Sequence, residues 1–122
     1  MALAKNVMGA GISSGQARAI NGNNVNSAVT GTGTTLATGA AITADVNVIT
    51  GGAEATGVVL YSGVPGDSQI VFNNTSTYKY VYPHSGGNVN QLAASSGFIL
   101  APYTAVHCVL TSSTQWVGFM SA

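Results

Sequence analysis

GVVLYSGVPGDSQIVFNNTSTYKYVYP, residues 57–83, holds the pattern that decides the fold. Three short β-prone runs, 58–61, 69–72 and 78–82, are separated by Gly63-Val64-Pro65-Gly66-Asp67 and by Asn73-Asn74. Valine, isoleucine, tyrosine and phenylalanine suit a pleated surface. Pro-Gly-Asp and Asn-Asn are turn formers, because proline presets φ, glycine accepts positive φ, and Asn or Asp side chains bond the backbone nearby. The same punctuation continues on both sides. Runs 46–49, 98–101, 105–110 and 116–120 are bounded by Gly51-Gly52, Pro83-His84-Ser85-Gly86-Gly87, Pro102-Tyr103 and Thr111-Ser112-Ser113-Thr114. Turn signals at a spacing of roughly ten residues point to an all-β sandwich or barrel. No window repeats apolar residues at helical spacing. The expected fold is all-β, a β-sandwich or jelly-roll-like barrel of about 7–9 short strands.

Alternation within the runs assigns faces, since successive side chains of a strand point to opposite sides. Tyr78, Tyr80 and Tyr82 share one face, opposite Thr77, Lys79 and Val81. Val106, Cys108 and Leu110 oppose Ala105, His107 and Val109. In the last run Trp116 and Met120 oppose Val117 and Phe119, so both faces are apolar and each asks for a covering layer. Upstream of residue 40 the chain is rich in Gly, Ala, Asn and Thr. Residues 1–28 are read as an extended N-terminal arm and residues 29–122 as the β domain. For 29–41 two readings compete: further arm, or irregular strands of the domain. Val7, Met8, Ile12 and Ile20 are spaced like anchors along an arm that docks on a partner.

Composition sets the limits on function. Charged residues make up 5% of the chain and the formal net charge is zero, against about 25% charged in an ordinary soluble domain. Gly, Ser, Thr and Asn supply 51 residues, so the surface takes its polarity from neutral groups. Little electrostatic repulsion keeps such a chain apart from its own copies, which points toward assembly. Three cations, Lys5, Arg18 and Lys79, do not supply the phosphate contacts that nucleic-acid affinity needs. No apolar run approaches the ~20 residues of a membrane-spanning helix, and no apolar stretch follows Lys5 as a secretory leader requires. Neither nucleic acid nor a membrane is an expected partner.

The constellations that resemble catalytic motifs fail on context. Gly11-Ile12-Ser13-Ser14-Gly15 matches G-x-S-x-G, yet that elbow needs a buried strand before it and a helix after it. His107 and Cys108 are adjacent, so a strand aims them at opposite faces, whereas a Cys–His pair must touch. Asp45, Glu54 and Asp67 are isolated, and Asp67 after Pro65-Gly66 suits a turn cap. The lone Cys108 forms no intrachain disulfide and, inside an apolar run, is expected to be a buried thiol. No enzyme activity, cofactor or metal is expected. The Tyr78/Tyr80/Tyr82 stripe has two readings: a packed sheet face, or a surface for a sugar or another subunit.

One resemblance organises these features. Gly57-Val58-Val59-Leu60, Gly63-Val64-Pro65-Gly66-Asp67 and Ile70-Val71-Phe72-Asn73-Asn74 are followed by Val81-Tyr82-Pro83, Gly86-Gly87, Val89-Asn90, Leu92-Ala93-Ala94 and Trp116-Val117. This order over residues 40–122 resembles small head-decoration (cement) proteins of tailed phages and related virion structural proteins. His84 departs from the pattern, where a second proline or a small residue is expected, and the N-terminal third has no counterpart. The resemblance implies a bacteriophage virion protein made in the host cytoplasm. It would bind the head exterior as a homotrimer, with the major capsid protein as its partner. The alternative it leaves open is a module of a head fibre, tail fibre or baseplate that binds a host receptor or glycan. The candidate interface residues are Val7, Met8, Ile12, Ile20, Tyr78, Tyr80, Tyr82, Trp116 and Phe119.

Overall fold

In a computed structural model, which describes residues 25–121, the chain runs through ten strands and no helix among those residues. The strands are β1 (Val25–Thr30), β2 (Ala40–Ala41), β3 (Val46–Gly51), β4 (Gly57–Val59), β5 (Ser68–Asn73), β6 (Lys79–Tyr82), β7 (Asn88–Val89), β8 (Phe98–Leu100), β9 (Ala105–Leu110) and β10 (Gln115–Met120). The all-β expectation holds, and each run from 46–49 to 116–120 overlaps a strand. The boundary expected between residues 28 and 29 falls inside β1, and residues 1–24 lie outside the described part.

From β1 to β9 consecutive strands alternate between two sheets, and β10 stays in the sheet of β9. One sheet has the order β1-β3-β5-β9-β10-β7 and the other β2-β4-β6-β8. β1, β3 and β5 pair parallel, as do β2, β4 and β6. Each coil of chain therefore lays one strand in either sheet and stacks on the coil before it. The direction then reverses: β8 joins β6 antiparallel, β9 joins β5 antiparallel, and β10 returns along β9. β7 closes the far side by pairing parallel to β10 at Gln115 and Trp116.

This solenoid-like stack replaces the expected sandwich or jelly-roll. Parallel neighbours need a crossover between them, and here the crossover is the strand laid in the opposite sheet. Short β runs with regular turns fit either architecture, so the pattern of runs does not choose between them. The core lies between the two sheets. Val29, Ile49, Val71, Val106 and Leu110 from the six-stranded sheet meet Val58, Val81 and Leu100 from the four-stranded one, joined by Ile42, Leu60, Val89, Cys108 and Trp116. Each such aliphatic side chain contributes about 1.5–3 kcal/mol by leaving water.

Candidate functional site

Alternation in β3 and β5 turns three amides inward together with Ile49 and Val71. Asn47 and Ile49 of β3, and Gln69, Val71 and Asn73 of β5, are fully buried between the sheets. Their apolar neighbours Val46, Val48, Ile70 and Phe72 point outward and are only half-buried. Strand pairing lines the outward residues into rows. Val25, Val46, Ile70, His107 and Phe119 form one row across β1, β3, β5, β9 and β10. Val48, Phe72 and Ala105 form a second, and Ser68, Val109 and Val117 a third. None of these residues carries a formal charge with histidine neutral.

The inward polar groups have specific work. Asn73 Nδ2 donates to Thr77 O at 2.9 Å, Leu100 O at 3.1 Å and Ala101 O at 3.3 Å. Its Oδ1 accepts from the Thr75 N–H at 3.2 Å and the Thr75 hydroxyl at 2.6 Å. One amide thus ties the β5–β6 turn to the end of β8. Lys79 is fully buried, its Nζ donating to Thr77 Oγ1 at 2.6 Å and Thr75 Oγ1 at 3.1 Å. Desolvation lowers its pKa, with Glu54 pulling the other way. Gln69 bonds both backbone groups of Tyr61, Nε2 to O at 3.0 Å and Oε1 to N at 3.2 Å. The Tyr61 hydroxyl donates to Asp45 Oδ1 at 2.8 Å, and burial followed by Asp45 pushes this phenol up to about 12.

On the outer face of the four-stranded sheet, the three tyrosines form a continuous line. Tyr78 meets Tyr80 edge-on and Tyr80 stacks on Tyr82, each with ring centroids 5.9 Å apart. Tyr82 is buried because its ring lies against backbone without side chains. A Cβ at Gly57 would stand 2.5 Å from Tyr82 Cε2, and one at Gly97 2.7 Å from Cε1. Burial, then Tyr80, raises the Tyr82 phenol pKa. Tyr78 and Tyr80 are half-buried.

Trp116 is fully buried and donates its indole N–H to His84 Nδ1 at 2.9 Å. Phe119, three positions along β10 and so on the other side, is 62% exposed. Of the expected interface residues, Trp116 and Tyr82 are therefore within the fold, Tyr78 and Tyr80 line one sheet, and Phe119 lies on the other. Val7, Met8, Ile12 and Ile20 lie outside the described residues, as does Ser13. Missing from the expected set were Val46, Ile70 and Phe72, which a sequence reader assigns to a core, and the buried Asn73 and Gln69, which resemble surface residues by type. Among the described residues no three His, Cys, Asp or Glu stand together as a metal site. No protein-family model, curated protein or solved structure matches this chain.

His107 and Cys108 stand on opposite faces of β9, His107 exposed and Cys108 buried. Burial pushes the Cys108 thiol up from 9.0 to about 12, far from the thiolate a nucleophile needs. A thiol whose folded pKa is raised contributes stability that is complete below its unfolded pKa. That contribution is lost as pH rises toward the folded value. Tyr61 and Tyr82 act in the same sense, and Lys79, with a lowered pKa, in the opposite one. Chemical-denaturant midpoints measured from pH 7 to 11 are expected to fall steeply on the alkaline side. Cys108→Ala is expected to flatten that fall even though it leaves a small void at neutral pH. Parallel pH profiles for the two proteins would contradict the assignment to this thiol.

Proposed function

We propose that this chain is a capsid decoration (cement) subunit of a tailed phage, bound as a homotrimer to the outside of the head. The observation that carries this reading is the outward, uncharged and largely apolar face of the six-stranded sheet, opposite a core in which Asn47, Gln69 and Asn73 are buried among aliphatic side chains. A sheet that keeps valine, isoleucine and phenylalanine half-buried or exposed on its outer side is arranged to be covered. The neutral composition and the resemblance over residues 40–122 support the same reading. The mechanism is mechanical. Each bound trimer bridges neighbouring capsomers of the major capsid protein and adds buried contact that internal DNA pressure has to break. Preference for the mature lattice over the immature one stabilises the mature lattice by mass action.

The test is co-sedimentation of the full chain with undecorated mature heads and with immature shells. Saturable binding in multiples of three to mature heads, with a higher temperature for DNA release, is the expected result. Failure to bind heads, together with retention on host envelope glycans, would overturn it in favour of a fibre or baseplate module.

A further inference from the structure

We infer that the outer face of the six-stranded sheet is where three copies of this chain meet, in a head-to-tail ring that sets the β1 flank of one copy against the β10 flank of the next. The inference rests on the homotrimer reading above and specifies its surface. Along the central row the apolar side chains at the two ends are exposed, Val25 at 63% and Phe119 at 62%, with His107 beside Phe119 also exposed, while Val46 and Ile70 are half-buried. The flanks are therefore the least covered part of an apolar face, as a ring of neighbours requires.

Among the described residues the β1 flank, the terminal strand of its sheet, is an open strand edge, and the β10 flank is covered only as far as Gly118. On the other side β7 pairs only with Gln115 and Trp116 of β10. Beyond that point the Asn90 side chain clasps Gly118, Oδ1 accepting from its N–H at 2.9 Å and Nδ2 donating to its O at 3.3 Å. Phe119 and Met120 then continue past this clasp, both exposed. Open edges that end in apolar residues are surfaces natural proteins cover.

Size favours a ring over a pair. At about 4.8 Å between strands and about 6.6 Å between alternate residues of a strand, the eleven residues of the three rows make a face on the order of 350 Å². A stable two-body interface buries roughly 800 Å² per partner, so two such faces pressed together fall well short. Three copies around one axis bring each face toward the centre and both flanks into contact, and head-to-tail contacts close on themselves. Apolar rows without formal charge need no complementary charge from a different protein, and a second copy supplies matching chemistry.

The test is the solution mass of the full chain by light scattering coupled to size exclusion, for wild type, Ile70→Asp, Phe119→Asp and the off-face control Thr111→Asp. Wild type and the control are expected at three times the 12.2 kDa chain mass, and both face variants at one third of that value with unchanged far-UV circular dichroism. Phe119→Asp keeps the experiment decisive if Ile70→Asp fails to fold, because its side chain already stands in solvent. Val25→Lys combined with Phe119→Asp in one chain is expected to restore the trimer that either change alone removes. A wild-type trimer that survives Phe119→Asp would overturn this surface and leave the trimer standing. A wild-type monomer at every concentration would overturn both, and a dimer would overturn the ring.

Discussion

Trp116→Ala is expected to lower the melting midpoint by roughly 15–30 °C, or to leave the chain unfolded at room temperature. Trp116 is the largest fully buried side chain among the described residues. It sits where β10 pairs with both β9 and β7, so the void would open at the junction of three strands. Removing an indole from such a site costs about 3–5 kcal/mol, a large part of the 5–15 kcal/mol typical of a whole domain. Trp116→Phe keeps most of the volume and gives up the bond to His84 Nδ1, so its cost should be nearer 1–2 kcal/mol. Thermal melts followed by circular dichroism separate the two. If the alanine variant melted within a few degrees of wild type, the end of the stack would not depend on this residue.

Asn73→Ala is expected to cost a further large amount, about 3–5 kcal/mol, without opening a large cavity. The loss comes from abandoned backbone groups. Leu100 O and Thr77 O lose a buried donor, and the Thr75 N–H loses its acceptor. The Thr75 hydroxyl that accepts from Lys79 Nζ loses Asn73 Oδ1 but turns to Thr77 O at 3.0 Å, which keeps that carbonyl paired. The cost therefore falls mainly on Leu100 O and the Thr75 N–H. Each buried polar group left unpaired costs on the order of 1–3 kcal/mol. Hydrogen exchange should show the damage concentrated at the β5–β6 turn and at β8, the segments this amide joins. Uniform loss of protection across all strands would count against that localised role.

Much of the strand content was legible because β-branched and aromatic runs of four or more residues announce themselves between turn formers. β9 shows this best: alternation over residues 105–110 separates Cys108 from His107 correctly. The tyrosine face of residues 78–82 was equally plain, since three aromatics at alternate positions admit one arrangement in a strand. β2 and β7, each of two residues, are too short for alternation to carry a signal. β1, VNSAVT, has a single buried residue, Val29. The stacked topology was not legible either, because parallel and antiparallel neighbours draw on the same side chains. The deepest difficulty lay in β3 and β5. Local polarity places Ile70 and Phe72 inside and Gln69 and Asn73 outside, while tertiary hydrogen bonds to Tyr61, Leu100 and Ala101 hold the amides in.

The alternating path of the chain also makes the fold modular in length. Val46 lies beside Val25 and Ile70 beside Val46, so each circuit of chain advances the stack by one strand in each sheet. Neighbouring circuits exchange contacts mainly with one another, as in other repeat architectures, where stability accumulates unit by unit. The antiparallel return through β8, β9 and β10 ends that progression with a differently directed cap. A circuit could therefore be duplicated or deleted between β1 and β5 while the cap and its tryptophan stayed as they are. The length of such a stack can change in steps of about 4.8 Å, one circuit at a time, without redesigning the cap.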